Sequence, residues 1–345
     1  MTPMLRRPLR PLTPLFVRSP ERLERAVAPF PLGPASRERV RAIVRTFIRG
    51  YNTVVRADHP WHARAALEAT DAYHRPFAYE GACMGFGAWA VMALRGHAAF
   101  EPLMVRGLNP ATVYQNYVGF GWWLGMWHGR RPATLARIAD RLDHRYRLLV
   151  YEGIGFQRGF TGVGAPHRTA VFAVHPSAAR HVCYQGYGRS LWFVHMDRLD
   201  GAHATIARLP AAYRGDCYSG LGLGCAFSRL DRVRLVAETA RAVPAPYRPD
   251  FLQGAAFGWE ARYRADPALF TELTADAGHA LRDRITASLR AVHQVRDDLT
   301  AHRPPPPDFY QAWRAATRQV LLHTAPTVPE TTPTDHPPHR IGRQR

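Results

Sequence analysis

The stretch Tyr184-Gln185-Gly186-Tyr187-Gly188-Arg189-Ser190-Leu191-Trp192-Phe193-Val194 decides how this chain folds. It opens on an aromatic residue, a polar one and a glycine, and a second small residue follows two places on. The opening returns at Tyr79-Glu80-Gly81, Tyr117-Val118-Gly119, Tyr151-Glu152-Gly153 and Tyr218-Ser219-Gly220, and with leucine in front at Leu252-Gln253-Gly254. From Gly119 through Gly153, Gly186 and Gly220 to Gly254 the intervals are 34, 33, 34 and 34 residues. A fixed period of about 20–50 residues marks stacked supersecondary units.

The last two copies spell out the unit. Asp197-Arg198 is echoed by Asp231-Arg232, Thr205 by Thr239, and Pro210 by Pro244. Tyr213-Arg214 is echoed by Tyr247-Arg248, and Asp216 by Asp250. Each unit reads as two helices. The first starts at an Asp able to accept from free N–H groups and stops near the proline; the second is capped by Asp216 or Asp250 and carries the repeated phrase. Two places after the central glycine stand Cys83, Gly121, Gly155, Gly188, Gly222 and Ala256, all small. Four places after stand Gly85, Ser190, Gly224 and Gly258, with Trp123 and Gln157 as exceptions. A helix carrying Gly220, Gly222 and Gly224 gives up about 3 kcal/mol of propensity, which close approach of neighbouring backbones would offset. Positions 0 and +2 lie about 200° apart on a helix, so such helices are sandwiched between neighbours or line a tunnel. The competing reading is that Gly-x-Gly marks turns. A dinucleotide fingerprint is weaker still, because Gly153-Ile154-Gly155 and Gly186-Tyr187-Gly188 lack the third glycine and a βαβ setting. The expected fold is mainly α, with helix pairs of about 34 residues packed as an α/α superhelix or toroid.

Working outward, Val40, Ile43, Val44, Phe47, Ile48 and Tyr51 share one helical face, so a helix begins at Ser36. Residues 1–35, rich in Pro and Arg, read as an irregular arm. Residues 36–323 read as one helical-repeat domain, with Phe160–Ala173 as a lid or connection. Pro304–Pro307 is a rigid spacer, followed by a helix from Asp308 to His323 that docks on the body. Residues 324–345 read as a disordered tail.

Composition bounds the chemistry. All 46 basic Lys+Arg side chains are arginine, so lysine-based Schiff-base or general-base chemistry is excluded. The net charge of +19 comes from arginines scattered along helices, and no nucleic-acid-binding motif accompanies them; no nucleic-acid partner is expected. Cys83, Cys183, Cys217 and Cys225 lack zinc-ligand spacing and read as buried free thiols in a reducing, cytoplasmic setting. Ala82–Leu94 and Tyr117–Trp127 are too short to span a membrane. No serine sits in a Gly-x-Ser-x-Gly elbow. His59, His62 and His74, like His175, His181 and His195, lack metal-binding spacing, so no metal is expected, and His195 reads as a helix-terminal cation.

Two features carry possible chemistry. The column before the central glycine holds Glu80, Glu152, Gln185, Ser219 and Gln253, with Val118 the exception, a polar seam if the helices stack in parallel. Glu80 and Glu152 are the candidate acid, base or metal ligands, or else they satisfy helix ends or pair with arginine. Arg189 either clamps a carboxylate or phosphate or pairs with Asp216 or Glu152. Its column elsewhere holds Met84, Trp122, Phe156, Leu223 and Phe257, none of them basic. Glu80, Glu152 and Arg189 are therefore the catalytic candidates, and Tyr151, Gln157, Gln185 and Trp192 the candidates for substrate contact. Trp122, Trp123, Trp127, Trp192 and Trp259 supply aromatic wall, for a core or for a groove that takes a long unsaturated chain.

The phrases Phe47-Ile48-Arg49-Gly50-Tyr51, Phe77-Ala78-Tyr79-Glu80-Gly81-Ala82, Tyr151-Glu152-Gly153-Ile154-Gly155-Phe156 and Gln185–Phe193 resemble a bacterial family of unknown function met in enediyne polyketide gene clusters, encoded beside the iterative synthase. Tyr218-Ser219-Gly220-Leu221-Gly222 and Gln253-Gly254-Ala255-Ala256-Phe257 are similar to it too. Where that family's pattern leads one to expect Gly-Phe-His, this chain has Gly155-Phe156-Gln157; a catalytic histidine at that place would be missing here. The resemblance implies a cytoplasmic accessory protein that binds or matures an apolar polyene intermediate in a helical pocket, with no cofactor specified. The alternative is a non-catalytic helical-repeat scaffold that holds polyketide synthase and tailoring enzymes together. An enclosed cavity bordered by Glu80, Glu152 and Arg189 would favour the former, a solid interior the latter.

Overall fold

A computed structural model describes residues 9–129, 131–196 and 198–324. The fold is mainly α, with no strand among the described residues. Pro20–Val27 forms α1 and Pro34–Arg56 forms α2. The six glycine phrases lie in α3 (Arg75–Met92), α4 (Val113–His128), α5 (Leu149–Thr161), α6 (Ser177–His195), α7 (Arg214–Ser228) and α8 (Arg248–Ala265). They are followed by α9 (His279–Ala301) and α10 (Phe309–Thr324). Short helices such as Leu199–Ala207 and Arg234–Ala242 connect the long ones. The turn reading of Gly-x-Gly therefore fails: every one of these phrases is helical.

Helices α2 to α8 pack on one another in chain order, and the glycines are the reason they can. A Cβ on Gly119, Gly153, Gly186, Gly220 or Gly254 would overlap the carbonyl oxygen of Glu80, Val118, Glu152, Gln185 or Ser219 respectively. In each case that carbonyl belongs to the residue before the central position of the preceding helix. The second glycines face the other way: Gly121, Gly155, Gly188 and Gly222 lie on the carbonyls of Val150, Cys183, Cys217 and Phe251 in the following helix. Each core helix is thus thinned on two opposite sides and sandwiched. The helices also advance in step. Gly220 lies on Gln185 and Gly224 on Arg189 and Trp192, so neighbours run parallel. The same register extends one helix earlier than the glycine phrases do. Gly81 lies on Phe47 and Gly50 on Ala78, which makes α2 a further copy with Ile48 at the central position.

The repeated Tyr-Arg link has a structural task. Tyr213 stacks on Tyr184 with ring centroids 4.2 Å apart, and Tyr247 on Tyr218 at 4.8 Å. Arg214 donates from Nε to Leu209 O (2.9 Å) and from Nη2 to Ala207 O (2.8 Å). Arg248 likewise reaches the carbonyls of Ala240, Arg241 and Val243, and Arg180 those of Ala173 and His175. The guanidinium fork satisfies several orphan carbonyls at the end of a connecting segment at once, which the single point charge of lysine does less well.

Several expected caps are placed differently. Asp216 and Asp250 sit in the first turns of α7 and α8 but are not N-caps. Asp216 instead meets His181 (2.6 Å) and Arg314 (3.0 Å), and Asp250 meets Arg318 (2.8 Å). These pairs help dock α10 on the body, where Trp313 donates to Val292 O (2.8 Å). Asp231 binds Arg39 and Tyr73 rather than capping a helix, and Asp197 lies outside the described residues. The stretch expected to be an irregular arm contains α1 and a helical turn at Thr13–Phe16, because Ser19 caps α1 and Pro20 opens it. Phe160–Ala173, read from the sequence as a lid or connection, is largely helical: α5 runs to Thr161, and a 3-10 helix covers Pro166–Val174. Residues 1–8 of the expected arm and 325–345 of the expected tail lie outside the described residues. All four cysteines are buried and free. No described helix is long and apolar enough to cross a membrane.

Candidate functional site

The face of each core helix turned to the interior carries positions −4, −1, +3 and +7 around the central residue, the spacing of one helical stripe. From this face Glu80 (α3), Glu152 (α5) and Arg189 (α6) converge. Arg189 Nη2 donates to Glu80 Oε2 at 2.8 Å, and Nη1 donates to Glu152 Oε1 at 3.1 Å. All three side chains are at most 4% exposed. The guanidinium also lies over the Phe156 ring, 4.6 Å from its centroid. Of the partners considered for Arg189, Glu152 is realised and Asp216 is not.

One cavity of about 610 Å³ opens onto this group. Its wall includes Val44 and Phe47 of α2, Phe77 and Met84 of α3, Trp122 of α4, Phe156 and Phe160 of α5, and Phe193 of α6. Glu80 and Arg189 lie in that wall. Glu152 faces away, toward a space of about 30 Å³ that it shares with Gln115, Arg189 and Tyr310. Glu80 Oε1 is buried without a hydrogen-bond partner among the described residues. Burial pushes the Glu80 carboxyl above the usual carboxylate range, the Arg189 charge partly offsets this, and Glu152 adds to it. For Arg189, burial alone would depress the pKa, but the attraction of Glu80 and Glu152 outweighs it and holds the guanidinium charged. Glu80 is therefore a carboxyl with one oxygen anchored and the other free, placed to hold or pass a proton at an apolar cavity.

A raised folded-state pKa means that Glu80 favours the fold below its unfolded pKa and loses that contribution as pH rises through the folded value. Glu80→Gln abolishes the titration. The variant is expected to match the parent near pH 4 and to gain in relative Tm as pH rises toward 8, read by thermal unfolding across that range. A relative Tm that falls with pH would contradict the placement of Glu80.

The remaining candidates are dispersed. Gln185 joins the predicted seam, which is real in this part of the chain. Tyr310 donates to Gln185 Oε1 (3.1 Å), Gln185 Nε2 donates to Ser219 Oγ (3.3 Å), and Ser219 donates to Gln253 Oε1 (2.8 Å). Tyr151 packs edge-on to His175, with centroids 5.3 Å apart. Gln157 Nε2 donates to Thr161 Oγ1 (3.3 Å), and Trp192 Nε1 to Ser228 Oγ (2.7 Å). None of these four lines the 610 Å³ cavity. His195, expected to be a helix-terminal cation, has its pKa lowered by burial, which opposes a charged role. Among the described residues no three His, Cys, Asp or Glu side chains are grouped to hold a metal ion. The sequence reading missed most of the cavity wall, in particular Phe47, Phe77, Phe160 and Phe193. The signal was available: Met84, Trp122, Phe156 and Arg189 stand in one column of the repeat.

The family model described as "Protein of unknown function (DUF1702)" matches residues 25–321. The chain belongs to the DUF1702 family. No curated protein matches it, and no solved structure does. The matched span of this DUF1702 chain includes α2 to α9, most of α10, and the whole Glu80–Arg189–Glu152 group.

Proposed function

We propose that this DUF1702 protein binds a long apolar molecule in the cavity between α2 and α6, and that the molecule is a polyene intermediate of enediyne-type polyketide biosynthesis. The observation that carries the first half is the cavity itself: about 610 Å³, within the usual range for small-molecule sites, walled by aromatic rings, with a single buried ion-paired group in its side. The resemblance of the glycine phrases carries the second half. The apolar cavity is open at a mouth and bordered by Glu80 and Arg189 but not by Glu152; it meets part of what the binding reading called for, and it weighs against the scaffold reading, which called for a solid interior. In this reading Glu80 gives or takes a proton during maturation of the ligand, Arg189 holds it in place, and Glu152 balances Arg189 from behind. The protein works in the cytoplasm beside the synthase and tailoring enzymes. The same reading takes the chain-order packing as a closed α/α toroid, because Tyr73 accepts at its backbone carbonyl from Arg262 of α8 (2.6 Å) and donates from its hydroxyl to Ser228 O of α7 (2.9 Å).

The test uses the methyl ester of cis-parinaric acid, an uncharged conjugated polyene whose fluorescence rises in apolar surroundings. The parent protein is expected to bind it. Val44→Phe places a ring in the cavity and is expected to weaken that binding about tenfold or more while stability holds or rises. The same variant is expected to fail to restore polyene-derived product in a strain from which the gene has been deleted. Absence of ester binding by the parent sinks the cavity reading; full complementation by Val44→Phe sinks the biosynthetic one.

A further inference from the structure

The cavity has a charged side that the proposed function does not use. Residues 13–20 cross its mouth as a strap, pinned from α2. Tyr51 donates to Phe16 O (2.9 Å), and Asn52 both accepts from Arg18 N (2.9 Å) and donates to Arg18 O (2.8 Å). Pro14, Val17, Arg18, Ser19 and Ile48 line the cavity, and the same residues line a groove of about 770 Å³ on the outer side. That groove is bordered by Arg18, Arg45, Arg49 and Arg56 and by no carboxylate among the described residues. Arg45 is already paired with Glu24 (2.7 Å) and Glu38 (3.3 Å). Among the described residues no carboxylate pairs with Arg18, Arg49 or Arg56, and the last two are exposed. Three guanidinium groups with no carboxylate partner among the described residues thus stand across a thin strap from an aromatic-walled cavity, with Arg18 and Ile48 among the residues that belong to both.

Like charges held close together repel, and a fork of N–H donors on each suits a bidentate oxyanion. We propose that the cavity's ligand is an amphiphile: its apolar chain lies against Phe47, Trp122 and Phe156, and its anionic head, a carboxylate or a phosphate ester, sits in the outer groove among Arg18, Arg49 and Arg56. This rests on the reading that the cavity binds an apolar chain, and it adds the class of ligand and the end by which it is held. The groove is open to solvent, so the head remains partly hydrated and its attraction is screened by salt. The chain enters tail first, and the head stays outside with Arg18 as the hinge between the two compartments.

The test compares cis-parinaric acid with its methyl ester on the full chain, at low and high salt. The acid is expected to bind about tenfold more tightly than the ester at about 50 mM salt, and the difference to narrow to about threefold or less at about 0.5 M as the Debye length shortens. Arg49→Gln/Arg56→Gln is expected to weaken the acid about tenfold and to leave the ester within about twofold, since the loss is confined to charge-assisted contacts. Retained ester binding certifies that the double variant is folded. Displacement of the probe by lauric acid or by dodecyl phosphate then tells a carboxylate head from a phosphate one. Equal binding of acid and ester by the parent, or equal weakening of both by the double variant, overturns the headgroup while the cavity reading stands. If the parent binds neither probe, both fall.

Discussion

Arg189→Met lowers folding stability by about 3–5 kcal/mol, the usual loss when one partner of a buried ion pair is removed. The reason is what stays behind. Glu80 and Glu152 are each about 1% exposed, both lean on one guanidinium, and without it two carboxylates face each other in an apolar interior. The Arg189 guanidinium also lies over the Phe156 and Phe227 rings, and methionine keeps an apolar side chain of similar length there, so the loss reports charge more than volume. The control is the triple variant Arg189→Met/Glu80→Gln/Glu152→Gln, expected to recover most of the stability because the stranded charges are gone. Urea denaturation of the single and triple variants decides it. A single-variant loss below about 1 kcal/mol would mean that the carboxylates find other partners, contrary to the geometry.

Gly186→Ala is expected to cost about 3 kcal/mol, the upper part of the range for overpacking, even though alanine gains about 1 kcal/mol over glycine in helix propensity. A Cβ there would meet the carbonyl group of Glu152 and the amide nitrogen of Phe156. Both are backbone, so α5 and α6 must separate as rigid bodies, and the Glu152–Arg189 pair opens with them. Gly96→Ala is the matched control, because nothing lies within 4 Å of a Cβ at that position, and it is expected to stay within about 0.5 kcal/mol. Thermal or denaturant unfolding of the two variants gives the comparison. Equal effects would remove close helix approach as the reason for the repeated glycine.

The glycine columns were legible because they are local. A spacing near 34 residues and a small residue at 0 and +2 can be read with no knowledge of what lies alongside. They led to helices sandwiched between neighbours or lining a tunnel, and to the polar column of which Gln185, Ser219 and Gln253 form a hydrogen-bonded part. The first copy escaped because Ile48 stands where the others have glycine. Its partner Gly50 keeps the register, but a lone glycine in an amphipathic helix carries no periodic signal. The capping roles given to Asp216 and Asp250 failed for a different reason: arginines from α10, about 100 residues downstream in the case of Asp216, claim those carboxylates. Tyr151 stands next to Glu152 in the chain, Gln157 next to Phe156 and Trp192 three places after Arg189, yet none lines the cavity, because a helix turns close neighbours in sequence to different sides.

The amino-acid sequence alone determined that this chain is helical, that its helices repeat, and that glycine rather than side-chain bulk sets their spacing, since propensity and period depend only on neighbours along the chain. It also singled out Arg189 as the one basic residue in its column. The tertiary structure decided which carboxylates Arg189 meets: Glu80, 109 positions away, lies beside it only because three helix steps bring α3 around to α6. It decided too that Phe47, Trp122 and Phe156 enclose an open space instead of filling a core. Whether facing side chains touch or leave a cavity depends on the distance between helices, and that distance is set jointly by all the glycine contacts rather than by any one stretch of sequence.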